Sequence, residues 1–117
     1  MQDKYEKVMR PWGYFVNIAK GEGYLAKIIH VNPKGKLSVQ SHNHRREHWL
    51  IVKGQANVTM DNRELVLSTG MSIDIPVKTI HSIENIYETD LEIIEIQQGD
   101  LLSEDDIIRY QDIYGRI

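Results

Sequence analysis

Three of the chain's five histidines fall in one run, Gln40-Ser41-His42-Asn43-His44-Arg45-Arg46-Glu47-His48-Trp49. On an extended strand, residues two apart share a face, so Gln40, His42 and His44 are able to face one ion together. Glu47 follows after a bend, and a β-barrel closing on itself returns His81 to the same interior point. Imidazoles plus a carboxylate, with open positions, suit one divalent metal ion: zinc, manganese, cobalt, nickel or iron. There is no cysteine, so disulfides, thiolate sites and cysteine nucleophiles are excluded together. A single histidine is more often a solvated loop residue than a ligand, and it is the clustering that argues for a metal here.

The segments that must hold these residues are short and rich in valine, isoleucine and aromatics. They are separated by Gly21-Glu22-Gly23, Asn32-Pro33-Lys34-Gly35, Lys53-Gly54, Asp61-Asn62 and Thr69-Gly70. The pattern predicts strands over 13–19, 24–31, 37–41, 48–52, 56–60, 64–67, 72–75, 81–85 and 91–96. That is an all-β chain, a sandwich, jelly roll or barrel. Asp61-Asn62 predicts a tight hairpin, since both residue types tolerate left-handed backbone angles. After Gly99 the pattern changes. Ser103 reads as the cap of a short C-terminal helix over about 103–114, with Glu104, Asp105 and Asp106 in its first turn and Ile107, Ile108 and Ile113 packing inward.

A length of 117 residues fits one domain, 1–117, with its β core at about 10–98. Hydrophobic residues at 41% and charged residues at 26% are ordinary for a soluble globular protein. The net charge of -3 argues against a general nucleic-acid binder and leaves room for a local basic pocket. No apolar run reaches the length of a membrane span, and Met1-Gln2-Asp3-Lys4-Tyr5-Glu6 lacks a signal-peptide core, so a cytoplasmic protein is expected. Trp12 and Trp49 read as core residues. Arg10-Pro11-Trp12-Gly13 reads as an edge segment covering the barrel mouth or crossing to a second subunit, and a homodimer is expected.

Two stretches resemble, in order, the paired motifs of cupins, which are double-stranded β-helix (jelly-roll) barrels. The first runs His42-x-His44 through Glu47, then six residues to Gly54. The second is Gly70, five residues, Pro76, then Lys78, His81 and Asn85, with Lys78 where a glycine is usual. Only two residues separate His44 from Glu47, fewer than is typical, whereas Gln40-x-His42, four residues, Glu47 has the usual spacing. A third reading takes His48 in place of Glu47; the favoured set is His42, Glu47 and His81, with Gln40 and His44 competing for the fourth place.

At these residues the chain resembles the cupin domain of type II mannose-6-phosphate isomerases, the domain found behind a mannose-1-phosphate guanylyltransferase domain. The resemblance covers nearly the whole chain. It includes Arg10-Pro11-Trp12-Gly13-Tyr14, the run from Leu37 to Trp49, Glu104-Asp105-Asp106-Ile107-Ile108-Arg109 and Asp112-Ile113-Tyr114-Gly115-Arg116. The Leu-Ser-x-Gln-x-His run is also similar to the zinc-binding run of type I phosphomannose isomerases, which by analogy favours Gln40 as a ligand. No Gly-rich nucleotide-binding start is present, so guanylyltransferase activity is not expected, and a separately encoded transferase is an expected partner.

The resemblance implies interconversion of mannose 6-phosphate and fructose 6-phosphate, in which a proton moves between C1 and C2 through an enediol. That chemistry asks for a cation at the developing oxyanion, a base of near-neutral pKa and a phosphate clamp. His44 and His48 are the base candidates, ahead of a non-ligating Glu47, and Arg109 joins them as a catalytic candidate. Arg10, Arg45, Arg46 and Lys78 are the candidates for phosphate binding, with Arg109 beside them. Adjacent strand residues face opposite ways, so one of Arg45 and Arg46 is expected to point inward. Cupins also serve as non-catalytic sugar or sugar-nucleotide binding modules and as metal oxygenases, which are the competing readings.

Overall fold

The computed structural model describes residues 5–113, and Tyr114 to Arg116, named above in the C-terminal segment, lie outside them. Eleven strands follow one another among the described residues: β1 (Val8–Arg10), β2 (Gly13–Gly21), β3 (Tyr24–Val31), β4 (Val39–Ser41), β5 (Arg45–Lys53), β6 (Gln55–Met60), β7 (Arg63–Ser68), β8 (Ser72–Ile75), β9 (His81–Glu84), β10 (Leu91–Gly99) and β11 (Ile108–Gln111). They pair antiparallel throughout, in a six-stranded sheet ordered β1-β2-β3-β10-β5-β8 and a five-stranded sheet ordered β11-β4-β9-β6-β7. This is the cupin-type jelly roll that the paired motifs imply.

Antiparallel sheets with one solvated face write an alternating pattern into their strands, and the inner parity fills the space between the sheets. Trp49, Ile51, Leu91 and Ile93 enter it from the larger sheet, and Ala56, Val58, Leu67 and Ile83 from the smaller one. Trp12 belongs to the same cluster. Each such buried valine, leucine or isoleucine side chain stabilises the fold by about 1.5–3 kcal/mol relative to its exposed state. The hairpin at Asp61-Asn62 forms as expected, with Met60 opposite Arg63 and Asp61 at a φ of 54°. At Gly54, φ is +88° and an added Cβ would lie 2.5 Å from the Asp90 carbonyl oxygen, so the β5–β6 turn requires a glycine.

Two elements differ from expectation. β5 begins at Arg45 rather than His48, because its first inward residues, Arg45 and Glu47, are charged and break the apolar alternation by which a strand is recognised. The expected C-terminal helix is absent among the described residues. Ser103 caps a single turn, accepting from the Asp105 N–H through its hydroxyl and from the Asp106 N–H through its carbonyl. The chain then extends, and β11 pairs with β4. Asp106, which would have sat in the first helical turn, is drawn instead to the 42–44 bend. No helix among the described residues is long and apolar enough to cross a membrane.

Candidate metal centre

β4, the bend after it and β9 bring His42 and His81 beside Glu47 of β5, and all three side chains are almost completely buried. One ligand atom from each lies within 4.8 Å of the others. His42 Nδ1 is 3.4 Å from Glu47 Oε2, and His81 Nε2 is 3.8 Å from Glu47 Oε1. The His81 Nδ1 faces the Thr79 carbonyl oxygen at 2.9 Å, which fixes Nδ1 as the protonated nitrogen and turns Nε2 inward with a free lone pair. That Nε2 is buried without a hydrogen-bond partner. Burial holds both imidazoles neutral. It pushes His81 below its ordinary value and, with the Arg45 charge and then His81 behind it, pushes His42 down to about 3.

Neutral imidazoles, a carboxylate and an inward-facing lone pair are the donors a divalent ion needs, so the residues fit a metal. Arg45 is the one cation already among them. Its Nε donates to Glu47 Oε2 at 2.9 Å, Nη2 lies 2.8 Å from the same oxygen and 2.9 Å from His42 Nε2, and Nη1 donates to the Ser103 carbonyl at 3.3 Å. Guanidinium and ion therefore draw on the same two residues, His42 and Glu47. Gln40 stands opposite both His81 and Arg109 in the sheet register, so the three share one face and one transverse row. Its Oε1 accepts from the Ser38 hydroxyl at 3.0 Å. Gln40, His42, Arg45 and Arg109 line one pocket, together with Arg10.

Other candidates are placed elsewhere. Arg46 and His48 point to the outer face of β5, where both pair with Asp74 on β8, at 3.2 and 2.7 Å. The His48 hydrogen bond is the main cause that holds Asp74 below the ordinary carboxylate range. His44 is 49% exposed and lies 3.6 Å from Asp100. Lys78 is exposed, and its φ of 64° explains why a glycine suits that position. Its N–H donates to the His42 carbonyl at 2.7 Å, so its backbone braces the centre while its side chain stays out of the pocket lining. Asn85, last of the second motif, is structural: its amide donates to the carbonyls of Val31, Asn32 and Thr89.

Three residues at the site were not among the candidate site residues read from the sequence. Glu95 is buried behind Glu47, and Trp49 Nε1 donates to both carboxylates, at 2.9 Å to Glu95 and 3.2 Å to Glu47. Burial, then the charge of Glu47 and a hydrogen bond to it, pushes the Glu95 carboxyl up to about 7. Asp106 accepts the N–H groups of Asn43 and His44, both at 3.0 Å, and fixes the bend that carries His42. Burial works to raise the Asp106 carboxyl, but those two hydrogen bonds outweigh it and hold the group low. Lys27 is buried in the pocket wall, its Nζ 4.1 Å from the centre of the Phe15 ring. An inward charge in line with apolar inward neighbours, Leu25 and Ile29 beside Lys27 and Leu91 and Ile93 before Glu95, was the available signal for these two residues.

The sequence signature of the family described as "Mannose-6-phosphate isomerase C-terminal" matches residues 1–112. The chain belongs to this family. Among the curated relatives of this chain is "Xanthan biosynthesis protein XanB" of Xanthomonas campestris, 44% identical over 112 residues, which are 96% of this chain and 24% of that protein. "Alginate biosynthesis protein AlgA" of Pseudomonas aeruginosa is 44% identical over 110 residues, 94% of this chain and 23% of that protein. "Mannose-1-phosphate guanylyltransferase" of Escherichia coli is 43% identical over 113 residues, 97% and 24%. The chain thus spans about a quarter of the length of these relatives. The solved structure of the capsular polysaccharide assembling protein CapF from Staphylococcus aureus matches with a TM-score of 0.82 at 19% identity, covering 95% of this chain and 35% of that one. The oxalate decarboxylase of Lactobacillus farciminis matches with a TM-score of 0.79 at 22% identity, over 91% and 33%. At such identities the likeness is one of fold.

Proposed function

We propose that the domain is a metal-dependent sugar-phosphate isomerase that interconverts mannose 6-phosphate and fructose 6-phosphate for polysaccharide precursor synthesis. The observation that carries this reading is a buried His42–Glu47–His81 cluster beside a pocket whose wall holds Arg10 and Arg109. Those two histidines and Glu47 would hold one divalent ion, with Gln40 as the fourth ligand. When bound, the ion supplies Lewis-acid stabilisation to an oxyanion developing at C1 or C2.

The remaining work falls to the chain's own side chains. Isomerisation takes a proton from C2 and returns one to C1 while O2 loses a proton and O1 gains one, so no external oxidant or reductant enters. Arg10 and Arg109 suit the phosphoryl group by charge-assisted hydrogen bonds. Trp12 and Phe15 supply an apolar wall that keeps water from the reacting carbons. A homodimer, and cooperation with a separate guanylyltransferase, belong to the same proposal.

A non-catalytic sugar-binding module is the second reading, favoured by one observation: Arg45 already neutralises Glu47, as it would in a centre that needs no ion. Turnover of mannose 6-phosphate by the purified chain, metal-loaded and chelated, with bound metal quantified on the same sample, separates them. Chelator-sensitive turnover is expected. Stoichiometric metal without turnover would favour the binding module.

A further inference from the structure

Lys27 is a costly residue to place where it is. Its side chain is 5% exposed, on the inward parity of β3 between Leu25 and Ile29. Taking an ammonium out of water carries a penalty of several kcal/mol that only good partners offset. Yet the one hydrogen bond made by Nζ among the described residues is to Glu104 Oε2, at 3.4 Å. Charge-assisted N–H···O bonds run about 2.7–2.9 Å, and an ammonium has three protons to give. Glu104 in turn is 57% exposed, on the irregular segment between β10 and β11, and its other oxygen lies 3.9 Å from Arg10 Nη2. One loosely held loop carboxylate is thus shared by two cations that flank the Phe15 ring, with the Arg10 guanidinium 5.1 Å from its centre. Arg109 lines the same pocket and carries a buried Nε with no partner.

We propose that Lys27 is the principal phosphoryl-binding cation of this pocket, flanked by Arg10 and Arg109, and that the Glu104 carboxylate is an internal stand-in which an incoming phosphoryl group displaces. A phosphoryl group brings three oxygens and about two negative charges to a place where one carboxylate now reaches two cations at long range. Displacing Glu104 releases it to water, where an exposed carboxylate is well solvated, so the exchange favours the better-matched anion. Lys27 lies 77 positions before Glu104, which reaches it from the irregular segment after β10, while the β3–β10 pairing itself sets Glu95 opposite Lys27. The inference deepens the sugar-phosphate reading and rests on it for the identity of the sugar.

The test measures binding of inorganic phosphate, mannose 6-phosphate and mannose by calorimetry, in the metal-loaded full chain and in Lys27→Met and Glu104→Gln. Lys27→Met is expected to lower affinity for both phosphates about tenfold or more, with mannose unaffected. Glu104→Gln, at an exposed position where folding is not at stake, is expected to raise affinity for both phosphates several-fold by removing the internal competitor. Unchanged or weakened phosphate binding in Glu104→Gln would overturn the stand-in role. Phosphate affinities in a folded Lys27→Met equal to the parent's would overturn the subsite. Turnover assayed on the same samples keeps the two readings apart. Turnover with affinities that ignore both substitutions would sink the subsite and leave the isomerase intact, whereas affinities that respond as expected without turnover would uphold the subsite and sink the isomerase.

Discussion

Replacing Glu95 by Gln should make the chelated protein more stable at pH 8 and leave it nearly unchanged at pH 5. In the folded chain burial and the neighbouring Glu47 raise the Glu95 carboxyl from 4.5 to about 7. In the unfolded chain it titrates near the ordinary value. Between about pH 4.5 and 7 the folded state therefore binds a proton that the unfolded state has released, and stability falls as pH rises through that window. The difference corresponds to about 3 kcal/mol, most of it between pH 5 and 8. Glutamine mimics the protonated acid: its carbonyl keeps the Trp49 N–H, and its amide faces Gln97, whose Oε1 is buried without a partner and can accept once that side chain's amide is flipped. His42 and His81, held neutral, cost stability below their ordinary 6.5, and the Glu95 charge works against that lowering, so the comparison is read at pH 8, where both histidines are neutral folded and unfolded. Urea unfolding followed by tryptophan fluorescence at the two pH values reads the effect. A gain of about 3 kcal/mol at pH 8 is expected, roughly 10 °C in melting temperature for a domain of this size. Parent and variant losing stability in parallel from pH 5 to pH 8 would refute the argument.

His42→Ala and His81→Ala should each abolish zinc or manganese binding while the far-ultraviolet circular dichroism keeps its β signature. Full metal retention in both would remove them from the ligand set. Arg45→Met should lower the stability of the chelated protein by about 3–5 kcal/mol, since Glu47 is left buried without its counter-charge. Zinc should restore much of that loss, and an equal deficit with and without zinc would show that ion and guanidinium do not compete. Asp106→Ala removes the acceptor of two backbone N–H groups. It should cost about 1–3 kcal/mol and weaken zinc binding about tenfold, as measured by competition with a chromophoric chelator. In the parent the Asp106 contribution is present above 3.8 and is lost as pH falls through its lower folded value, so a variant with the parent's acid-unfolding profile would count against it.

Most strands were legible because apolar parity and turn residues coincide: β3 and β8 occupy the predicted spans, and the Asp61-Asn62 hairpin follows from its turn chemistry. The two motifs led to His42, Glu47 and His81, which meet in the structure. The rest was hidden for identifiable reasons. Glu95 and Lys27 lie in strands far from the histidine run, and only register and parity bring them to the site. Ser103 with three following acids reads locally as a helix start, and the long-range bonds of Asp106 to the 42–44 bend decide otherwise. Parity did anticipate that one arginine of the pair points inward, and it is Arg45.

The transverse row formed by Arg109, Gln40 and His81 makes the pocket a matter of reading frame. Three strands from distant parts of the chain each contribute one position, and hydrogen-bonded pairing alone sets which residue that is. A one-residue slip in a strand exchanges its inner and outer faces. Lengthening the irregular segment before Asp106 would therefore leave the row intact. Deleting a single residue between Asp106 and Arg109 would bring Tyr110 opposite Gln40, so that a chain retaining every residue named at the centre would present a phenol where the guanidinium had been.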